Sequence, residues 1–256
     1  MIKEESRFAE STVFEGMTSI RAVLDNIKDG KYNARKITKI LYDEAKSRSK
    51  GKEIAYLKKM GELYSFPVES TNAEDIASLS VGTSHGGIIA LCEERSYPYI
   101  DINNIKENGF YAMIEGIEDP YNFGYALRSI YASGVDGIIL SERNWLSAAG
   151  VVCRSSAGAS ERADIYIAGD GFIDLFKEKN YKIVCADIKN SVSIYDADLT
   201  KPILLIVGGE KRGISSSLLS RADQIVRIDY GRRFDAALSA ASASTIIAFE
   251  IYKQNR

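Results

Sequence analysis

Six short apolar runs punctuate the C-terminal half of this chain: Tyr111 to Ile114, Gly137 to Leu140, Asp164 to Ala168, Lys182 to Ala186, Ile203 to Val207 and Ile225 to Ile228. Each is too short for a buried helix, and stretches of helical character separate them. Alternating strands and helices of this kind imply a parallel sheet covered by helices on both faces. The expected fold class is therefore α/β.

The N-terminal part reads as a smaller α/β unit. Residues 17–28 have helical apolar spacing, Ile37 to Tyr42 is a short β-type run, and a charged helical stretch continues to about Tyr64. A strand at Phe66 to Val68, a polar helix at Ala73 to Leu79 and the apolar run Gly87 to Cys92 complete it. Residues 94–108 are polar and contain Pro98, which suits a linker. A chain of 256 residues accommodates two cores. The expected division is a first domain over 1–95, a linker over 96–108 and a second domain over 109–256. The last helix, about Ala237 to Lys253, begins rich in Ala and Ser, and small residues allow close approach to a cofactor or a second subunit.

Composition removes several classes. No apolar run approaches the roughly 18 residues of a membrane span, and the first residues are charged, so a cytoplasmic protein with no membrane partner is expected. Cys92, Cys153 and Cys185 are far apart, and His85 is the sole histidine. Neither a disulfide framework nor a metal site is expected. The net charge of -2 argues against binding nucleic acid by bulk charge, yet Lys28 to Lys59 holds eleven basic residues against four acidic ones. A solvated helix face explains such a run by itself. It becomes a phosphate-binding face, with Lys46, Arg48, Lys50 and Lys52 as its candidate contacts, if the rest of the chain points to RNA.

Three segments lie just past predicted strand ends, where open α/β sheets hold ligands. The first runs from Glu115 through Asp119-Pro120, Asn122 and Gly124 to Arg128, with a helix beginning near Asn122. Taken singly, Asn122 is a helix cap and Arg128 a surface cation. The second, Gly208-Gly209-Glu210-Lys211-Arg212-Gly213-Ile214-Ser215, lacks the order of a phosphate-binding loop. The third runs from Ile228 through Arg232 and Arg233 to Leu238-Ser239.

In this order the segments resemble the three signature motifs of the SpoU/TrmH family of RNA ribose 2'-O-methyltransferases. Asp119, Pro120, Asn122, Gly124 and Arg128 match D-P-x-N-x-G-x-x-x-R, and Gly208, Glu210, Gly213, Ile214 and Ser215 match G-x-E-x-x-G-[ILM]-S. Ser156-Ala-Gly-Ala159 resembles the S-x-G-A turn between them. The third motif, usually S-L-N-V-S, reads Ala237-Leu238-Ser239-Ala240-Ala241, which keeps only the leucine. The likeness covers residues 110–252. It extends weakly to Phe14-Glu-Gly16 and Ser84-His-Gly-Gly-Ile-Ile-Ala90, which resemble an L30e-like RNA-binding domain.

The resemblance implies a trefoil-knotted SPOUT domain, S-adenosyl-L-methionine as cofactor, ribosomal or transfer RNA as substrate, and a homodimer. It assigns Gly208, Gly209, Gly213, Ile228 and Leu238 to the cofactor, and Asn122, Glu210 and Arg128 to catalysis. A guanidinium stays protonated at neutral pH, so Arg128 is expected to clamp a substrate phosphate rather than act as a base. The altered third motif keeps a second reading open, a knotted RNA-binding protein with impaired catalysis.

Overall fold

The computed structural model describes residues 12–141 and 148–256, which form two compact units. In the first unit, β1 (Val13–Glu15), α1 (Gly16–Lys28), β2 (Ile37–Asp43), α2 (Gly51–Tyr64), β3 (Val68–Thr71), α3 (Ala73–Leu79) and β4 (Ile88–Cys92) follow one another. The sheet order is β1-β4-β2-β3. β4 runs antiparallel to β1 and β2, and β2 and β3 are parallel across the α2 connection. Ile20, Val23, Leu24 and Ile27 recur at helical spacing on α1 and pack into a core with Phe14, Ile40, Leu57 and Ile88.

This unit also contains a segment that the expected boundaries assign to the second domain. Residues 148–162 form α5 (Ala149–Ser155) and α6 (Ala159–Arg162), and Ala149 and Cys153 complete the first core. The attachment is ionic as well. Glu161, 1% exposed, meets Arg35, 2% exposed, through Nη2 at 3.3 Å, and Arg95 Nη1 lies 3.6 Å away. Arg35, counted in sequence with the basic face, is thus a core residue, stacked at 4.8 Å over the Phe14 ring.

The second unit contains β5 (Phe110–Glu115), α4 (Pro120–Ala132), β6 (Gly137–Leu140), β7 (Ile165–Ile167), α7 (Phe172–Glu178), β8 (Lys182–Ala186), β9 (Val192–Ser193), β10 (Ile203–Gly208), α8 (Ser216–Leu219), β11 (Gln224–Arg227) and α9 (Ala240–Gln254). Its seven-stranded sheet has the order β7-β6-β5-β10-β8-β11-β9. Every pair is parallel, as the apolar runs require. Strand limits fall within a residue or so of the apolar runs. β9 was not anticipated, being two residues long.

Residues 97–108 are not a free linker. The Ile100 amide donates to Ile167 O at 2.9 Å and the Ile167 amide donates to Pro98 O at 2.8 Å, so the segment lies along β7. Ile100 and Ile105 are buried with Phe172, Phe176, Leu204 and Ile206. Tyr111 Oη donates to Asn104 O at 2.6 Å and Tyr181 Oη donates to Lys106 O at 2.7 Å, from rings that meet edge to face around Phe176. With two apolar anchors among polar neighbours, the segment has the composition of a linker but not the behaviour of one. The small-residue helix α9 packs on α4 within this unit. Among the described residues, no helix is long and apolar enough to cross a membrane.

Candidate active site

β5 and β10 are neighbours in register, with Gly208 opposite Glu115, so the loops that follow them leave the same end of the sheet side by side. They are laced together. The Ser215 amide donates to Glu115 Oε2 at 2.9 Å, and Lys211 Nζ lies 2.9 Å from Glu118 Oε2, which raises the pKa of the lysine.

The glycines here answer first to the protein's own backbone. A Cβ on Gly209 would lie 1.9 Å from the Gly116 carbonyl oxygen, and one on Gly208 would lie 2.4 Å from the Gly213 carbonyl carbon. Gly213 takes φ +62° and has open space about it. Close approach at positions 208 and 209 is therefore chain against chain.

Asp119 caps α4, its carboxylate accepting from the Asn122 amide at 2.7 Å, with Pro120 at the first helical position. The capping task expected of Asn122 thus belongs to Asp119. The Asn122 side chain is left to reach across, and Nδ2 donates to Glu210 Oε1 at 3.4 Å. The Ala240 amide, at the start of α9, donates to the same oxygen at 3.3 Å. One carboxylate oxygen therefore joins the three segments singled out in the sequence.

Ile228 and Leu238, at the two ends of the connection from β11 to α9, are both half-buried. Ile228 lies one residue past the end of β11, which takes its amide and carbonyl out of the strand. Leu238 precedes Ser239, the cap of α9, so its carbonyl is outside the helical ladder, and its amide donates to Tyr230 Oη at 3.1 Å. An apolar side chain with main-chain polar groups nearby is the donor set that suits an adenine edge. Arg128 is exposed, six residues beyond Asn122 and about 120° round the helix from it. Among the described residues, no hydrogen bond or ion pair joins it to Asn122 or Glu210.

The first unit holds a cavity of about 340 Å³, lined by Glu15, Ser19, Lys50, His85 and Arg154 among others. Phe14-Glu-Gly16 and Ser84-His-Gly-Gly87, noted separately in the sequence, come together there. Glu15 accepts from the amides of Val81 and Gly82 at 2.7 and 3.1 Å and pairs with Arg154 at 2.5 Å. Of the candidate RNA contacts, Lys50 lines this cavity and pairs with Glu53, Lys46 is half-buried, and Arg48 and Lys52 are exposed.

The SpoU rRNA Methylase family profile matches residues 109–249, more than half of the chain. The chain belongs to the SpoU rRNA methylase family. It is an RNA methyltransferase of that group. A relative assigned to the TrmH family of tRNA/rRNA methyltransferases, from Staphylococcus haemolyticus, is 25% identical over 235 residues, covering 89% of this chain and 92% of its own. The fold matches an AdoMet-bound rRNA methyltransferase from Sinorhizobium meliloti with TM-score 0.75 and 23% identity, over 94% of this chain and 86% of that one. It also matches an RNA 2'-O ribose methyltransferase with TM-score 0.77 and 22% identity, over 99% and 95% of the two chains. These SpoU-type folds share the α/β architecture with a parallel sheet.

Sequence reasoning did not foresee that Glu115, Gly116 and the Asp119 cap hold the site's loops, or that Glu15 pairs with Arg154 in the first unit. A glutamate at a strand end followed by glycine was the available signal for Glu115. Arg154 had none, since its partner is 139 residues away.

Proposed function

We propose that this SpoU-family chain transfers a methyl group from S-adenosylmethionine to a ribose 2'-hydroxyl of ribosomal or transfer RNA. The observation that carries the reading is the meeting of Asn122, Glu210 and the Ala240 amide on one carboxylate oxygen at the C-terminal end of the central strands. When bound, the cofactor supplies a methyl group activated by its sulfonium charge. Ile228 and Leu238 would hold it, through the main-chain groups that lie outside strand and helix ladders. Both donors fall on Oε1 of Glu210, so the carboxylate is fixed in orientation and Oε2 is left to accept a proton or face a positive charge. Positioning of this kind does much of the work in an in-line displacement. Arg128, exposed on α4, serves as a bidentate phosphate clamp.

The SPOUT knot belongs to this reading, and so does an L30e-like, RNA-binding role for the first unit. There, Lys50 at the cavity and exposed Arg48 and Lys52 provide phosphate contacts. A cytoplasmic homodimer completes it. Exposed Tyr125 and Tyr131 on α4, with Phe249 and Tyr252 on α9, are the aromatic surface for the second copy.

The test pairs calorimetric titration of S-adenosylmethionine with mapping of 2'-O-methyl sites in RNA from cells with and without the gene. Cofactor binding together with a methylation site that depends on the gene is the expected result. No cofactor binding would overturn the reading, and binding without transfer to any RNA would leave an RNA-binding protein with lost catalysis.

A further inference from the structure

The connection from β11 to α9 exposes a combination that the core does not need. Residues 229–237 are all exposed, and the Phe234 ring is 55% exposed. The loop is nonetheless shaped. Tyr230 packs against Phe234 with ring centroids 6.0 Å apart, and its hydroxyl accepts the Leu238 amide, which closes the base of the loop. Its acids are matched by arginines: Asp229 lies 2.8 Å from Arg227 Nε, and Asp235 lies 3.6 Å from Arg233 Nε. That leaves Arg232 with no acidic partner among the described residues. The loop ends at the candidate active site, because Leu238 and Ser239 lead straight to Ala240, whose amide is on Glu210.

An exposed phenyl ring beside an unmatched guanidinium is poor design for a solvated loop but suits single-stranded nucleic acid. The ring offers a face to any base, and the cation matches a phosphate. We propose that this loop grips RNA beside the ribose that is methylated, with Phe234 stacked on an unpaired base and Arg232 paired with an adjacent phosphate. The claim rests on the proposed RNA 2'-O-methyl transfer for the identity of that ribose. A duplex cannot offer the base face, so the substrate segment is single-stranded or splayed at this position.

The test uses the full chain with Phe234→Ala, Phe234→Trp and Arg232→Ala, and mixed-sequence single-stranded and duplex RNA oligonucleotides of equal length as probes. Phe234→Ala should weaken single-strand binding roughly five- to a hundredfold, the range of one lost base stack. Phe234→Trp should restore it, and duplex binding should be unaffected in both. Arg232→Ala should flatten the salt dependence of single-strand binding by about 0.7 in log-log slope, one phosphate contact. S-adenosylmethionine affinity should stay unchanged throughout. Equal single-strand affinity in Phe234→Ala overturns the proposal. So does weakened cofactor binding in that variant, which would make the loop a cofactor clamp, or a change confined to sedimentation mass, which would make it a dimer contact. If single-strand binding depends on the loop as stated but the native chain transfers no methyl group, the RNA grip stands and the methyl-transfer reading falls.

Discussion

Glu210 is exposed and held by two long hydrogen bonds, so little of the fold depends on it. Each such bond contributes about 1 kcal/mol at most. Glu210→Ala and Asn122→Ala should therefore melt within a few degrees of the native chain while transferring labelled methyl groups at least a hundredfold more slowly. Arg128→Lys should lose transfer too, because a point charge cannot reproduce a guanidinium fork on a phosphate. Full turnover in all three variants would remove the site from this place. The cysteines give a second prediction. Cys92, Cys153 and Cys185 are buried, and burial pushes the thiols of Cys153 and Cys185 up to about 12 and raises that of Cys92 as well. At pH 8 the folded protein should leave a chromogenic disulfide reagent uncoloured, and denaturant should release all three thiols. At this scale Asn122 and Glu210 could be singled out because motif spacing is a property of the chain itself, and the structure joins the two by a hydrogen bond. Arg35 was misplaced among surface cations because its counter-charge, Glu161, is 126 residues away.

At the scale of elements, the strands were legible because a strand covered on both faces is a continuous apolar run, which no fold-level knowledge is needed to see. The helices at 149–162 were not, because α5 is short and its apolar residues, Val151, Val152 and Cys153, find their use only against another part of the chain. The loop between β10 and α8 gives a prediction of its own. Gly209→Ala would drive a methyl group into the Gly116 carbonyl, where neither backbone can yield without moving its strand. Overpacking of this kind costs about 1–3 kcal/mol or more. The variant should melt several degrees lower and lose activity. At α9, the Ser239 hydroxyl accepts the Ser242 amide at 3.2 Å as the helix cap. Ser239→Ala should lower stability by about 1 kcal/mol. Ser239→Asn, the residue usual in the family, should cap equally well and leave the melting temperature unchanged. A loss of stability in the asparagine variant would mean that the hydroxyl does something other than cap.

For the whole molecule, the division into two units was legible in outline, through the change from mixed charged stretches to evenly spaced apolar runs. The membership of residues 148–162 was hidden, because a segment between two strands of one sheet reads as a crossover of that sheet. The chain gives this segment to the first unit and ties it there through Glu161. Its carboxylate faces two buried guanidiniums, its carbonyl accepts from Arg95 Nη1 at 3.2 Å, and Asn26 donates to the same carbonyl. Glu161→Gln keeps the shape but removes the carboxylate charge that the buried Arg35 and Arg95 guanidiniums face. Breaking a buried pair from one side destabilises by about 3–5 kcal/mol. That loss should fall on one unit. Amide hydrogen exchange on the full chain should show α1, β1, α5 and α6 losing protection in the variant, while β5, β8 and β10 keep theirs, since their hydrogen bonds and core do not involve Glu161. If protection falls equally in both sets, the two units unfold as one cooperative block and their division has no thermodynamic counterpart. If it falls only in α5 and α6, the segment is an attachment to the first core and not a part of it.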